Sequence, residues 1–248
     1  MKTKDGFEVE ILGEVGRAVY LYSKEYRSMC VASKYSLDCA VLKVGGIGFV
    51  DCESVEEFEN IKNTHAYKTW VSILARVGKI ARYKEVGISD EWKHFSNFKK
   101  FHDSNYHEGF VIDKDLLSGR YSKIYSAETC AYIPPSLNVL IRERSKERKS
   151  FKYDELEKCY SFQYSVGGYT RPYIVKAKTL EDICEKYAIY RCTRVMAIYQ
   201  EYWDKLSDRV KKALVTYYDI QNYMARLYAD CTGDVSSIIK QIDKGIRW

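Results

Sequence analysis

Three patterns in this 248-residue chain predict an α+β fold. Apolar residues alternate in short, glycine-punctuated runs over residues 1–50, as half-buried strands require. Aromatic residues then recur at helical spacing between Tyr67 and His102. After residue 147 alternation returns, followed by a long helix-period run that opens on Thr-x-x-Asp. The spacing divides the chain into a small β module (1–50), a helical lead-in with a strand–strand–helix segment (51–146), a small three-stranded sheet with one helix (147–205), and C-terminal helices (206–248).

Composition narrows the class without choosing a function. A net charge of +6 permits a polyanionic partner but does not demand one. The 23 tyrosines are many for this length, and tyrosine can pack its ring while leaving its hydroxyl to water or phosphate. Eight cysteines are scattered without a C-x-x-C pair, and the four histidines do not join them at zinc-finger spacing. No long apolar run is present, so a reduced protein of the bacterial cytoplasm, without a membrane partner, is expected.

In the first module, Phe7, Val9 and Ile11 alternate, and Val19–Tyr22, Met29–Val31 and Val41–Val44 complete four short strands. These predict a small antiparallel barrel or half-barrel. Ser54 to Glu57 has capping-box spacing, which starts a connecting helix with Phe58 inward. Trp70, Ile73, Leu74 and Val77 form one helical stripe. A second helix opens at Ser89-Asp90-Glu91 and carries Trp92, Phe95, Phe98 and His102. The aromatic stripe reads as core rather than as a base-stacking platform.

From Gly109 to Ile141 the chain reads as strand, loop, strand and helix. The first strand runs into Asp113-Lys114-Asp115, and the helix begins at Pro134-Pro135 and carries Asn138. A carboxylate at a strand end and an amide on the closing helix can aim oxygen ligands at one divalent cation. The segment resembles the ββα-metal, or HNH, motif of phage homing endonucleases. A Tyr67-x-x-Trp70 helix and a Trp92-x-x-Phe95-x-x-Phe98 helix, similar to that family's lead-in, extend the resemblance.

The resemblance implies that Asp113 and Asn138 are the metal ligands, for Mg²⁺ or another divalent cation if cutting is retained. It also implies that Lys114 stands at the general-base position, where the family has a histidine, and Thr129 where it has the asparagine that orients the base. Ala127 replaces a proline common in the phage branch. Imidazole titrates near neutrality, whereas a lysine beside phosphate stays protonated. Asp113, Lys114 and Thr129 thus form a degenerate catalytic set in which Lys114 suits phosphate holding better than water activation.

Arg142, Arg144 and Arg148 belong to the densest cationic run, read either as a solvated joint or as phosphate contacts. Tyr160–Ser165 and Tyr173–Ala177 then form a hairpin around Gly167-Gly168, and Thr179 caps a helix with Leu180, Ile183, Tyr187, Tyr190, Arg194 and Ile198 on one face. This sheet plus helix resembles the DNA-binding domain of plant ethylene-response factors, which often follows the nuclease motif in phage homing endonucleases. The resemblance implies a sheet face in the major groove of double-stranded DNA, with Lys152, Gln163, Arg171, Lys176 and Lys178 as candidate contacts. An ordinary α+β packing domain is the other reading.

Beyond Ser207, one helix with Val210, Leu214, Tyr217 and Leu227 inward and another starting at Asp234 are expected to pack across the domains or to form a homodimer surface. Two readings of function stand at this point. One is a domesticated, non-cleaving DNA-binding protein that needs no cofactor to bind, similar to phage-satellite repressors of capsid genes. The other is an active metal-dependent endonuclease or nickase.

Overall fold

The computed structural model describes residues 1–77, 85–118, 123–141, 151–164 and 172–232. Helices and several small sheets alternate along the chain, so the class is mixed α+β. The described chain forms two compact units, residues 1–108 with 117–132 and residues 109–116 with 133–248.

The first unit opens with a three-stranded antiparallel sheet of β1 (Glu10–Val15), β2 (Ala18–Ser23) and β3 (Ser28–Ser33) in sequential order. It is an open sheet and not the expected barrel. Of Val41–Val44, the expected fourth strand, only Val44 pairs, in an isolated antiparallel bridge to Gly48. The Asp5 carboxylate accepts from Leu42 N–H and Lys43 N–H, each at 3.0 Å. The alternation over Phe7, Val9 and Ile11 also breaks, since β1 begins at Glu10 and its ladder shifts register between Ile11 and Gly13. Val9, Val19, Leu21, Cys30, Ala40, Leu42 and Phe49 form the core on one face. On the other, the Tyr20 ring packs edge-on to Phe58, and its hydroxyl donates to Glu59 at 2.6 Å.

Both early helices start where side chains replace missing backbone acceptors. In α1 (Val55–Lys62) Ser54 accepts from Glu57 N–H, and in α2 (His65–Arg76) Thr64 accepts from Tyr67 N–H. The aromatic stripe is core, as its spacing implied: Trp70, Trp92, Phe95 and Phe98 are fully buried. Trp70 Nε1 donates to the Trp92 carbonyl at 2.7 Å. Gly48 is required there, because a Cβ would lie 2.5 Å from both Trp70 Cζ2 and Leu74 Cδ1.

The helix expected from Ser89 is interrupted. A 3₁₀ turn spans Glu91–Lys93, and α3 (Phe95–Asn105) starts after His94. Phe49 takes the backbone there, accepting from Phe95 N–H and donating to the Lys93 carbonyl. The missing cap is supplied from a distance: Asp51 Oδ1 accepts from Ser96 N–H at 2.9 Å. Two short strands, β4 (Gly87–Ile88) and β6 (Ile124–Tyr125), pair in parallel.

In the second unit, β5 (Val111–Asp113) runs into the short α4 (Asp115–Ser118). β7 (Ala131–Ile133) lies where the chain passes from the residues of the first unit to those of the second. After β7 comes α5 (Pro135–Ile141), which packs on β5. A three-stranded antiparallel sheet follows, β8 (Lys152–Asp154), β9 (Cys159–Tyr164) and β10 (Tyr173–Ala177), with β9 central. It is backed by α6 (Leu180–Glu201), capped by Thr179 through Asp182 N–H at 3.1 Å.

The buried residues of α6 are Ile183, Cys184, Ala188, Cys192, Val195 and Ile198. Arg194 is exposed, contrary to the sequence reading, because α6 is covered by the sheet on one flank and by α8 (Ile220–Thr232) on another. The single helix expected after Ser207 is two, α7 (Asp208–Tyr217) and α8. Asp219 begins the second by accepting from Asn222 N–H at 3.1 Å. The expected last helix from Asp234 lies outside the described residues. Among the described residues no disulfide joins any of the eight cysteines, and no described helix is long and apolar enough to cross a membrane.

Candidate nucleic-acid interface

Of the predicted contact residues, Lys152, Gln163 and Lys176 lie in the three-stranded sheet. Side chains alternate between faces along a strand and directly opposed residues share one. Phe162 and Tyr164 of β9 point toward α6, where their rings meet Tyr187 and Tyr190 with centroids 5.0 and 4.4 Å apart. Ser161 and Gln163 therefore point to the opposite side. Ser161 is flanked in register by Lys152 and Lys176, and Gln163 by Ile174. Lys152, Gln163 and Lys176 are exposed, and so is Lys178 just beyond β10.

The electrostatics of this face are mixed. The turn between β8 and β9 brings Glu157 to Lys176, which pair. That contact first of all holds the Glu157 carboxyl below its ordinary range. Asp154 accepts from Leu156 N–H and Glu157 N–H and so shapes the turn. Arg142, Arg144, Arg148 and Arg171 lie outside the described residues.

The strand–strand–helix segment has the expected order, with half-buried Asp113 ending β5 and half-buried Asn138 on α5. Local geometry gives Asp113 a capping job. Its Oδ1 accepts from Asp115 N–H at 3.0 Å and Leu116 N–H at 2.8 Å. Burial, reinforced by the charge of Asp115, raises its pKa despite those two bonds and the nearby Lys114 ammonium. Lys114 pairs with Asp115. Thr129 lies in the first unit, where its hydroxyl donates to the Ile124 carbonyl at 2.7 Å and accepts from Ser126 N–H at 3.1 Å. That hydroxyl shapes its own turn.

As a cation site the segment offers one carboxylate and one amide oxygen, against the six oxygens that Mg²⁺ takes. Among the described residues, no group of three or more His, Cys, Asp or Glu side chains is placed to hold a metal. The two ligands fit a divalent cation only if water and phosphate complete the shell. A cleft of about 750 Å³ in the first unit, lined by Glu25, Asp51, Glu53 and Glu57 beside Arg27, has the wrong charge for a phosphate backbone.

Two residues of the second unit were not singled out from sequence. Arg191 of α6 donates to the Leu140 carbonyl at the end of α5, and its guanidinium lies 5.8 Å from the Tyr187 ring. Ile174 is 56% exposed on the same face as Gln163. Its parity with Lys176 was the available signal, masked by its apolar neighbours Tyr173 and Val175. Comparison with protein-family models, curated proteins and solved structures finds no significant match to this chain.

Proposed function

We propose that this chain is a sequence-specific double-stranded-DNA-binding protein, descended from a phage or phage-satellite homing endonuclease, that binds without cutting and represses transcription. The observation that carries this reading is the outer face of the β8–β10 sheet. It presents Lys152, Gln163 and Lys176 together while the opposite face packs on α6. Cations beside an amide suit phosphate anchoring next to base reading. No cofactor is needed for such binding.

The non-cutting part rests on the residues around Asp113. A hydrolytic site of this type needs a base near neutral pKa. Lys114 holds that position and its ammonium is paired with Asp115. Asp113 and Thr129 are both engaged in local turns. The Arg142–Arg148 run and the C-terminal helices enter the reading as further phosphate contacts and as a homodimer surface suited to a palindromic site.

An active endonuclease is the second reading, favoured by one observation: Asp113 and Asn138 sit on elements that pack together. A divalent cation held by those two would polarise a phosphate oxygen and acidify a bound water. Selection of bound DNA from a random pool, with cleavage read in the same Mg²⁺- or Mn²⁺-containing tubes, separates the readings. A specific footprint with intact DNA is expected. Efficient cutting that Asp113→Ala abolishes would overturn the repressor reading in favour of the nuclease. Weak binding abolished by high salt for every sequence alike would remove both.

A further inference from the structure

We infer that the cross-strand pair Gln163–Ile174 is the base-reading element of the sheet and that it recognises a short A/T step, Gln163 reading adenine and Ile174 the thymine methyl group. This rests on the DNA-binding reading and names which residues of that face confer specificity. Gln163 and Ile174 are directly opposed in the β9–β10 ladder. Opposed residues of this kind have Cβ atoms about 5 Å apart. Adjacent base pairs rise about 3.4 Å along each strand, so the two side chains meet neighbouring pairs.

The chemistry of the pair matches one face of an A/T step. A glutamine amide is both donor and acceptor, as the N6 and N7 edge of adenine requires. The thymine methyl is the one apolar group the major groove displays, and it calls for an apolar side chain. Ile174 is 56% exposed in the midst of a polar face, where packing gives it no reason to be isoleucine. Its parity sets it beside Lys176 and away from α6.

The neighbouring row fits the groove around this pair. Lys152 and Lys176 flank Ser161, one on each outer strand. Two strand spacings separate them by about 9.6 Å. The major groove is about 12 Å wide, so flexible lysine stems span it and reach phosphates on both sides. The A-form groove of double-stranded RNA is too narrow to admit such a sheet, which makes DNA the ligand.

The test replaces thymine by deoxyuridine, position by position, in a site that the full-length protein selects from a random DNA pool. This removes one methyl and nothing else. At one position the wild-type protein is expected to lose affinity about fourfold, the worth of a single desolvated methyl. Ile174→Ala is expected to lose a similar factor on thymine DNA and to be indifferent to deoxyuridine at that position. Gln163→Ala is expected to lose about tenfold on the selected site and to relax the adenine preference beside it.

Circular dichroism checks that both variants fold, which the exposed positions allow. Wild-type affinity unchanged by deoxyuridine at every position, or an Ile174→Ala protein still sensitive to it, overturns the inference while leaving DNA binding standing. Failure to select any DNA overturns the DNA-binding reading and this inference together.

Discussion

Glu157, in the turn between β8 and β9, holds the ammonium of Lys176 on the face proposed to meet DNA. A phosphate must compete with that carboxylate for the same cation. Glu157→Gln is therefore expected to tighten DNA binding several-fold at low salt. Lys176→Ala should weaken it for all sequences alike and lower the salt slope by about one. Fluorescence anisotropy over a range of salt concentrations measures both. Unchanged affinity in Glu157→Gln would place Lys176 away from the phosphates.

Asp113 separates a capping role from a catalytic one. Its folded pKa is raised, first by burial, so the folded chain binds the proton more readily than the unfolded chain does. The contribution to stability therefore falls as pH rises from the unfolded value near 3.9 through the folded one. Asn keeps an acceptor for the N–H groups of Asp115 and Leu116 without the charge. Asp113→Asn should thus be at least as stable as the wild type at pH 7 in chemical denaturation, and Asp113→Ala less stable by about 1 kcal/mol.

The first unit contains a histidine pair with a predictable acid response. His65 Nδ1 and His102 Nε2 lie 3.0 Å apart, and Asp103 Oδ1 is 3.2 Å from His102 Nδ1. Burial lowers the His102 pKa, helped by His65 and Lys99 and opposed by Asp103. The unfolded chain then takes the proton first, below about pH 6.5. Stability is expected to decline as pH drops from 6.5 through the folded pKa, with a flatter profile for His102→Gln. Thermal melts between pH 8 and 5 read this directly; a melting temperature level across that range would contradict it.

Gly48 tests the packing of the aromatic core. A methyl at this position meets Trp70 and Leu74 at 2.5 Å, and neither can swing into solvent because both are fully buried. Gly48→Ala is expected to cost about 1–3 kcal/mol in urea denaturation. Because Gly48 is remote in sequence from β8–β10, binding measured well below the melting temperature should be retained.

The elements that were legible from sequence are those specified by residues close together in the chain. Ser54 and Thr179 each cap a helix through a backbone N–H three residues on. The Trp70 and Phe98 stripes follow from helical period alone. What escaped was set by partners far away in sequence. Asp5 takes the N–H groups that would have made Val41–Val44 a strand, and Phe49 with Asp51 decides where α3 starts. At the candidate site, alternation gave Lys152, Gln163 and Lys176 a common face, but only the ladder register shows Ile174 beside Gln163. The capping role of Asp113 looks identical, in sequence, to a ligand at a strand end.

The contact between Arg191 and the Leu140 carbonyl has a counterpart one helical turn earlier, where Tyr187 receives the Phe151 ring with centroids 5.5 Å apart. The end of α5 and the residue that leads into β8 are thus seated on a single turn of α6. That turn is a shared footing: removing the Arg191 guanidinium would loosen α5 at the same place where the sheet takes its anchorage.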